Sequence, residues 1–169
     1  MFFGEEAWQA MRISVIAVGK IKEKYLKDGI EEYQKRLSRF CDLEIIEVED
    51  CRAPDGLSNA QEQQVKSREC DNILKRVKEG STVIALDIKG ESLGSEEFSR
   101  RINSFFVSGI SHITFIIGGS LGLDDRIPGM ARFRFSMSKL TFPHQLARMI
   151  LLEQLFRAFK IMNGETYHK

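Results

Sequence analysis

Residues 112–119, HITFIIGG, are a short apolar run that ends at two glycines. Two further runs have the same character, RISVIAV at 12–18 and STVIALD at 81–87. Near-continuous apolar runs of this length, rich in β-branched residues, are typical of strands that are covered on both faces. Strands of that kind belong to parallel sheets, so the sequence predicts an α/β fold, a mostly parallel sheet with helices on both faces.

Helical patterns alternate with these strands. Apolar residues recur at steps of three and four over 23–40, from Ser95 to Phe106 and after Pro143, which places them on one face of each helix. Ser95 is predicted to cap its helix, and Pro143 to lie in the first turn of the last one. The other predicted elements are strands at 43–48 and 133–137, a polar helix at 59–79, a short helix at 124–131 and a helix end at Asn163-Gly164.

Length and composition fit a single domain. The chain has 169 residues, 43% of them hydrophobic, and a net charge of +1. We predict one domain over 11–169, with residues 1–10 as an extension outside the fold. Cys41, Cys51 and Cys70 include no CxxC pair, so neither a disulfide framework nor a metal site is expected. The sequence has no secretory signal pattern and no apolar run of membrane-spanning length, so a cytoplasmic protein without membrane partners is predicted.

Positive charge is concentrated toward the C-terminus. Residues 132–169 hold seven Lys or Arg and two Glu, a net charge of +5, together with His144 and His168. A basic segment with histidines favours a phosphate-rich partner such as RNA. A solvated helix face would explain the charges equally well.

Three segments follow predicted strands and could form a site, because ligands of open α/β sheets bind at the carboxyl ends of strands. They are LDIKG at 86–90, IGGSLGL at 117–123 and SMSKLTFPH at 136–144. Glycines 118 and 119 would let a ligand approach the backbone, although a simple tight turn also accounts for them. The sequence contains neither GxGxxG after its first strand nor GxxxxGK[ST], which disfavours a Rossmann dinucleotide site and a P-loop.

The segments LDIKG at 86–90, FIIGGSLGL at 115–123 and SMSKLTFPHQLARMILLEQLFRAFKIMNGETYHK at 136–169 resemble one family. It is the ribosomal RNA large subunit methyltransferase H family, of the SPOUT class of S-adenosylmethionine-dependent methyltransferases. The resemblance extends from residue 11 to residue 169. It implies a domain with a C-terminal trefoil knot, a homodimer with the site near its interface, and methylation of N3 of a pseudouridine in 23S ribosomal RNA within the assembled ribosome.

The resemblance also implies roles for individual residues. S-adenosylmethionine would be bound by Leu86, Gly118, Met137, Ser138, Lys139, Leu140, Thr141 and Phe142. His144 and Arg148 would contact RNA. The catalytic group would be Tyr167, His168 and Lys169, with His168 near the N3 proton and Lys169 as an anchor for phosphate or base. Because the methyl donor is a sulfonium, no metal is needed.

Two other functions are compatible with the residues. One is a ribosome-binding or assembly module that binds the cofactor without turnover. The other is an α/β enzyme that acts on a small phosphorylated metabolite held at GGSLG, residues 118–122.

Overall fold

A five-stranded sheet organises the chain, and all of its strand pairs are parallel. The structure is a computed structural model that describes residues 10–167. Its strands are β1 (Arg12–Val18), β2 (Asp42–Val48), β3 (Thr82–Ser92), β4 (His112–Ile117) and β5 (Phe133–Ser136), in the order β2-β1-β4-β3-β5. Its helices are α1 (Lys24–Leu37), α2 (Asn59–Leu74), α3 (Ser95–Val107), α4 (Arg126–Met130) and α5 (His144–Met162). The predicted α/β class and parallel sheet are confirmed.

Helices cover both faces of the sheet, because alternate residues of each strand point to opposite sides. In β1, Ile13, Val15 and Ala17 belong to a core shared with α1, α3 and α5. Ile16 and Val18 belong to a second core, shared with α2 and α4. The continuous apolar character of the strand therefore reflects burial on both sides.

Aromatic rings fill much of the larger core. Phe159 of α5 is fully buried and stacks on Phe40, with ring centroids 5.5 Å apart, and on Phe106 at 6.2 Å. Phe98 of α3 stacks on Phe135 of β5 at 4.7 Å. The phenylalanines of α3 are thus packing residues, which leaves them no role in contacting a base.

Several predicted boundaries were wrong. α3 is capped by Gly94, whose N–H donates to Glu97 Oε2 at 2.9 Å. Ser95 is the first helical residue instead, and its hydroxyl donates to Gln154 of α5 at 2.8 Å. Pro143 is the N-cap of α5 rather than part of its first turn. β3 continues to Ser92 beyond the predicted end, with a pairing irregularity where it passes Phe135 of β5.

One loop, residues 137–143, connects the edge strand β5 to the start of α5. The start of α5 lies near the end of β1, where Arg148 Nη2 donates to the Gly19 carbonyl at 3.1 Å. Since β3 and β4 lie between β5 and β1 in the sheet, the loop crosses the carboxyl ends of both strands. This crossing brings the loop to the segments that follow β3 and β4.

Three predictions lie beyond what the fold tests. The trefoil knot and the domain limits 11–169 stay predictions. The proposed extension, residues 1–10, lies outside the described residues except for Ala10.

Removing the Phe159 ring should destabilise the protein strongly. Phe159→Ala would leave a cavity between two stacked rings, and such truncations cost about 3–5 kcal/mol in the free energy of unfolding. We expect a loss of that size in urea denaturation. Val107→Ala is the control, since Val107 lies in α3 with 62% of its surface exposed, and it should change stability by less than about 0.5 kcal/mol. Equal losses in the two variants would contradict the described core.

Candidate active site

A cavity of about 160 Å³ lies where the loop 137–143 crosses the sheet edge, and we call it the inner cavity. The structure brings seven of the eight predicted cofactor residues to its wall: Leu86, Gly118, Met137, Ser138, Leu140, Thr141 and Phe142. Lys139 is exposed and does not line it. Segments far apart in the sequence therefore form one site.

The glycine turn that follows β4 forms one wall of the inner cavity. The Gly122 N–H donates to the Gly119 carbonyl at 3.1 Å, which closes a tight turn. A Cβ on Gly118 would lie 2.9 Å from the Gly122 carbonyl carbon, closer than real contacts allow. The tight-turn interpretation is confirmed, and because the bare backbone also faces the cavity, approach of a ligand there stays a prediction.

A wider cleft of about 1010 Å³, the outer cleft, shares part of its lining with the inner cavity. Asp87 lines both and binds Arg134, with Oδ2 accepting from Nη2 at 2.6 Å and from Nε at 3.0 Å. Burial acts to raise the pKa of Asp87, but the Lys89 N–H and the Arg134 guanidinium outweigh it and hold that pKa below its usual value. Asp87 is therefore a fixed anion.

His144, the first residue of α5, also lines both spaces. Its Nε2 lies 3.2 Å from where a Cβ on Gly19 would stand, so the ring occupies space that only a glycine leaves free. Burial lowers the pKa of His144, the Arg148 guanidinium lowers it further, and the Asp50 carboxylate opposes both. The ring is therefore neutral near pH 7 and able to accept a proton.

Arg148 does not fit its predicted contact with RNA. Its side chain is 1% exposed, its Nη1 donates to Glu47 Oε1 at 2.6 Å, and its Nη2 donates to the Gly19 carbonyl. A guanidinium held in this way has no surface to offer to a phosphate. Arg148 ties α5 to the ends of β1 and β2, which is a structural role.

The excess of positive charge near the C-terminus is also partly neutralised. Of the six Lys and Arg that the structure describes between 132 and 167, four form ion pairs: Arg134 with Asp87, Arg148 with Glu47, Arg157 with Glu153 and Lys160 with Glu165. The net charge of this segment thus overstates the free positive charge at its surface.

Tyr167, the one described residue of the predicted catalytic group, does not line the inner cavity within its own chain. Tyr167 packs edge-on against Phe156, with centroids 5.0 Å apart, and lies under the Arg157 guanidinium. Phe156 and Arg157 lie 12 and 13 residues after His144 in α5, which is about 18–20 Å along the helix. His168 and Lys169 lie outside the described residues.

Glu69 was missed by the sequence analysis. It is 4% exposed, and its Oε1 accepts the Cys51 N–H at 3.2 Å. Its Oε2 lies 3.1 Å from where a Cβ on Gly119 would stand, beside the turn of the inner cavity. The signal was present, because Glu69 falls midway between Val65 and Ile73 in the apolar seam of α2.

Residues 10–167 lack two features, a membrane-spanning helix and a cluster of metal ligands. No helix is long and apolar enough to cross a membrane. No three His, Cys, Asp or Glu side chains are grouped so that they could hold a metal ion. The expectation of metal-free chemistry stays a prediction.

The chain is similar in sequence to known proteins. Residues 11–168 match the family described as "Predicted SPOUT methyltransferase". A protein of Acetivibrio thermocellus named "Ribosomal RNA large subunit methyltransferase H" is 63% identical over 159 residues, which cover 94% of this chain and all of that protein. A protein of the same name from Ruminiclostridium cellulolyticum is 59% identical over the same coverage.

A solved structure shares the fold. It is that of a probable methylase family protein from Haemophilus influenzae, with a TM-score of 0.53 and 13% identity. The match covers 96% of this chain and 71% of the other. At this identity the likeness concerns the fold alone.

The buried carboxyl of Glu69 should make stability depend on pH. Burial raises the pKa of Glu69 to about 7, helped by the Asp50 carboxylate and opposed by the Cys51 N–H. The stabilisation from its proton is complete below the usual carboxyl pKa and is lost as pH rises through about 7. We therefore expect Glu69→Gln to gain stability relative to the wild type between about pH 5 and pH 8.

Urea denaturation at several pH values measures this difference. Glu79→Gln changes an exposed glutamate and should follow the wild-type curve throughout. If the difference in the free energy of unfolding between Glu69→Gln and the wild type stays constant with pH, Glu69 does not titrate as described.

Proposed function

The chain belongs to the SPOUT methyltransferases and, among them, to the ribosomal RNA large subunit methyltransferase H family, and from this membership we propose its reaction. It transfers a methyl group from S-adenosylmethionine to N3 of a pseudouridine in 23S ribosomal RNA of the assembled ribosome. The observation that carries this proposal is the identity of 63% over the whole length of a relative with that family's name. The inner cavity supports it, since seven of the eight residues that the family resemblance assigns to the cofactor line it.

The residues present fit S-adenosylmethionine. Leu86 and Phe142 provide apolar walls for a flat heterocycle, and the bare backbone of Gly118 and Gly119 allows close approach. When bound, the cofactor supplies a methyl group on a positively charged sulfur. The chain itself must hold the acceptor nucleotide in line with that group, and alignment of this kind contributes up to about 7–11 kcal/mol in favourable systems.

We propose that the acceptor nucleotide is bound by Tyr167, His168 and Lys169 of a second copy of this chain. Within one chain, Tyr167 lies near the far end of α5 from the inner cavity. Two large apolar side chains next to the cavity, Ile88 and Leu140, are 58% and 71% exposed, which is a feature of surfaces that become covered. A homodimer that covers this rim would bring one tail to its partner's cavity.

Methyl transfer from labelled S-adenosylmethionine tests the reaction. The substrates are unmodified ribosomes, isolated subunits, naked large-subunit RNA and a sample without RNA, with the product nucleoside identified by mass spectrometry. We expect N3-methylpseudouridine in assembled ribosomes only. Gly118→Ala should abolish transfer and weaken cofactor binding at least about tenfold, because its Cβ has no room.

Gly129→Ala is the matched control, since a Cβ there meets nothing within 4 Å, and it should keep wild-type activity. Product formed without RNA would instead indicate an enzyme of small metabolites. Ribosome binding without any transfer would indicate an assembly module.

Mixing two inactive variants tests the shared site. One variant is Gly118→Ala, and the other lacks residues 167–169. If the tail acts on the partner's cavity, a heterodimer has one intact site, and random reassortment should restore about a quarter of wild-type activity. Activity that stays absent after reassortment, with heterodimers shown by mass spectrometry, would contradict the second-copy assignment.

A further inference from the structure

The proposed reaction requires removal of a proton, because N3 of pseudouridine is an imide nitrogen that reacts well only after losing its hydrogen. A suitable acceptor must lie at the site, be unprotonated near neutral pH and be free to accept. Two titratable side chains of the described residues line the inner cavity, Asp87 and His144. Asp87 is bound to Arg134 and the Lys89 N–H, so it is a poor acceptor.

His144 meets all three conditions. It lines the inner cavity and the outer cleft, so it lies where the two spaces adjoin. Its Nε2 and Cδ2 are the ring atoms that approach Gly19, which leaves Nδ1 on the opposite side of the ring. The position of His144 is set by its own chain, since Pro143 caps α5 and Arg148, one turn later, is bound to the Gly19 carbonyl.

A carboxylate stands on the Nε2 side of the ring. The two residues meet at the position that a Cβ on Gly19 would occupy. Asp50 Cβ lies 3.8 Å from that position, and His144 Nε2 lies 3.2 Å from it. The Asp50 carboxylate also acts on the buried carboxyl of Glu69 and raises its pKa. Glu69 accepts the Cys51 N–H, which fixes the backbone next to Asp50.

On the basis of the proposed function, we propose that His144 is the proton acceptor for N3 of the target nucleotide, and that Asp50, held by Glu69, is its partner carboxylate. Asp50 favours the tautomer with hydrogen on Nε2, which frees Nδ1 to accept. In the step, the N3–H bond breaks, its electron pair stays on N3, and an Nδ1–H bond forms. N3 then bonds to the methyl carbon as the carbon–sulfur bond breaks. The electron pair of the broken bond remains on sulfur. Asp50, which is exposed, offsets the charge of the imidazolium until the proton passes to solvent.

His144→Gln tests the assignment, because the amide keeps a polar side chain that cannot take up a proton. We expect single-turnover methyl transfer on ribosomes to slow by about 100-fold or more near pH 7, within the range of general base catalysis. The rate should recover as the pH approaches that at which the imide ionises by itself. Free imidazole should restore part of the rate to His144→Ala, which provides a second variant.

His112→Gln is the matched control. His112 begins β4, at the opposite end of that strand from the glycine turn, and its Nε2 is 2.9 Å from Ser14 Oγ. This variant should keep the wild-type rate and pH profile. Cofactor affinity by calorimetry and ribosome binding by sedimentation should stay within about twofold of wild type for His144→Gln, as expected of a group that acts in the chemical step.

A titration of the histidine ring by NMR needs no RNA. The charged groups that act on His144 are Asp50, which follows β2, and Arg148 of α5. Removing the negative charge with Asp50→Asn should lower the pKa of His144. Glu69→Gln, which leaves a hydrogen-bonding side chain beside Asp50, should shift it less.

The outcomes test separately the role of His144, the role of Asp50 and the proposed function. A wild-type rate and pH profile for His144→Gln would overturn the proposal, and so would a loss that is the same at every pH or that accompanies weaker cofactor or ribosome binding. An unchanged pKa of His144 in Asp50→Asn would overturn the part assigned to Asp50. Absence of methyl transfer by the wild type would instead overturn the proposed function, and the proton acceptor with it.

Discussion

The buried guanidinium of Arg148 is the interaction on which the site depends. It joins α5 to Glu47 of β2 and to the carbonyl of Gly19, just beyond β1. The other end of the loop 137–143 is fixed by the pairing of β5 with β3. A segment held at both ends must cross the sheet edge between them, and that crossing forms the wall of the inner cavity. Arg148 is 1% exposed and would be left as an unpaired buried charge without these partners, which is costly, so the loop is strongly anchored.

Most of the secondary structure could be predicted because it follows from hydrophobic periodicity. β1 and β4 have the predicted limits, and the continuous apolar runs correctly indicated a sheet covered on both faces. The cap of α3 was mispredicted for a physical reason. Serine is a favourable cap in isolation, but the Ser95 hydroxyl has a partner on α5, 59 residues away, which no local pattern reveals. Strand order and the path of the loop likewise depend on long-range packing.

Charge was the misleading signal within the site. The excess of Lys and Arg suggested a surface for RNA, yet one of these residues, Arg148, is buried. The acidic residue Glu69 is buried too. Both lie on apolar helix faces, Arg148 at helical spacing from Leu151 and Leu152, and Glu69 four residues before Ile73. A charged residue on such a face indicates a buried partner more often than a solvated charge, because an unpaired buried charge is too costly. Helix position was therefore more informative here than net charge.

We propose different roles for the two ends of α5, because nucleotide binding and proton removal place different demands on geometry. Binding a nucleotide tolerates a contribution from a second copy, because affinity depends on the sum of contacts. Proton removal requires an acceptor already placed beside the donor, since small displacements are costly to the rate. His144 has that placement within its own chain, between Gly19 and the inner cavity. Tyr167, which packs against Phe156 and Arg157 about 18–20 Å along the helix from His144, does not. On the proposed mechanism, the start of the helix therefore takes part in the chemical step, and the residues beyond its end bind the nucleotide.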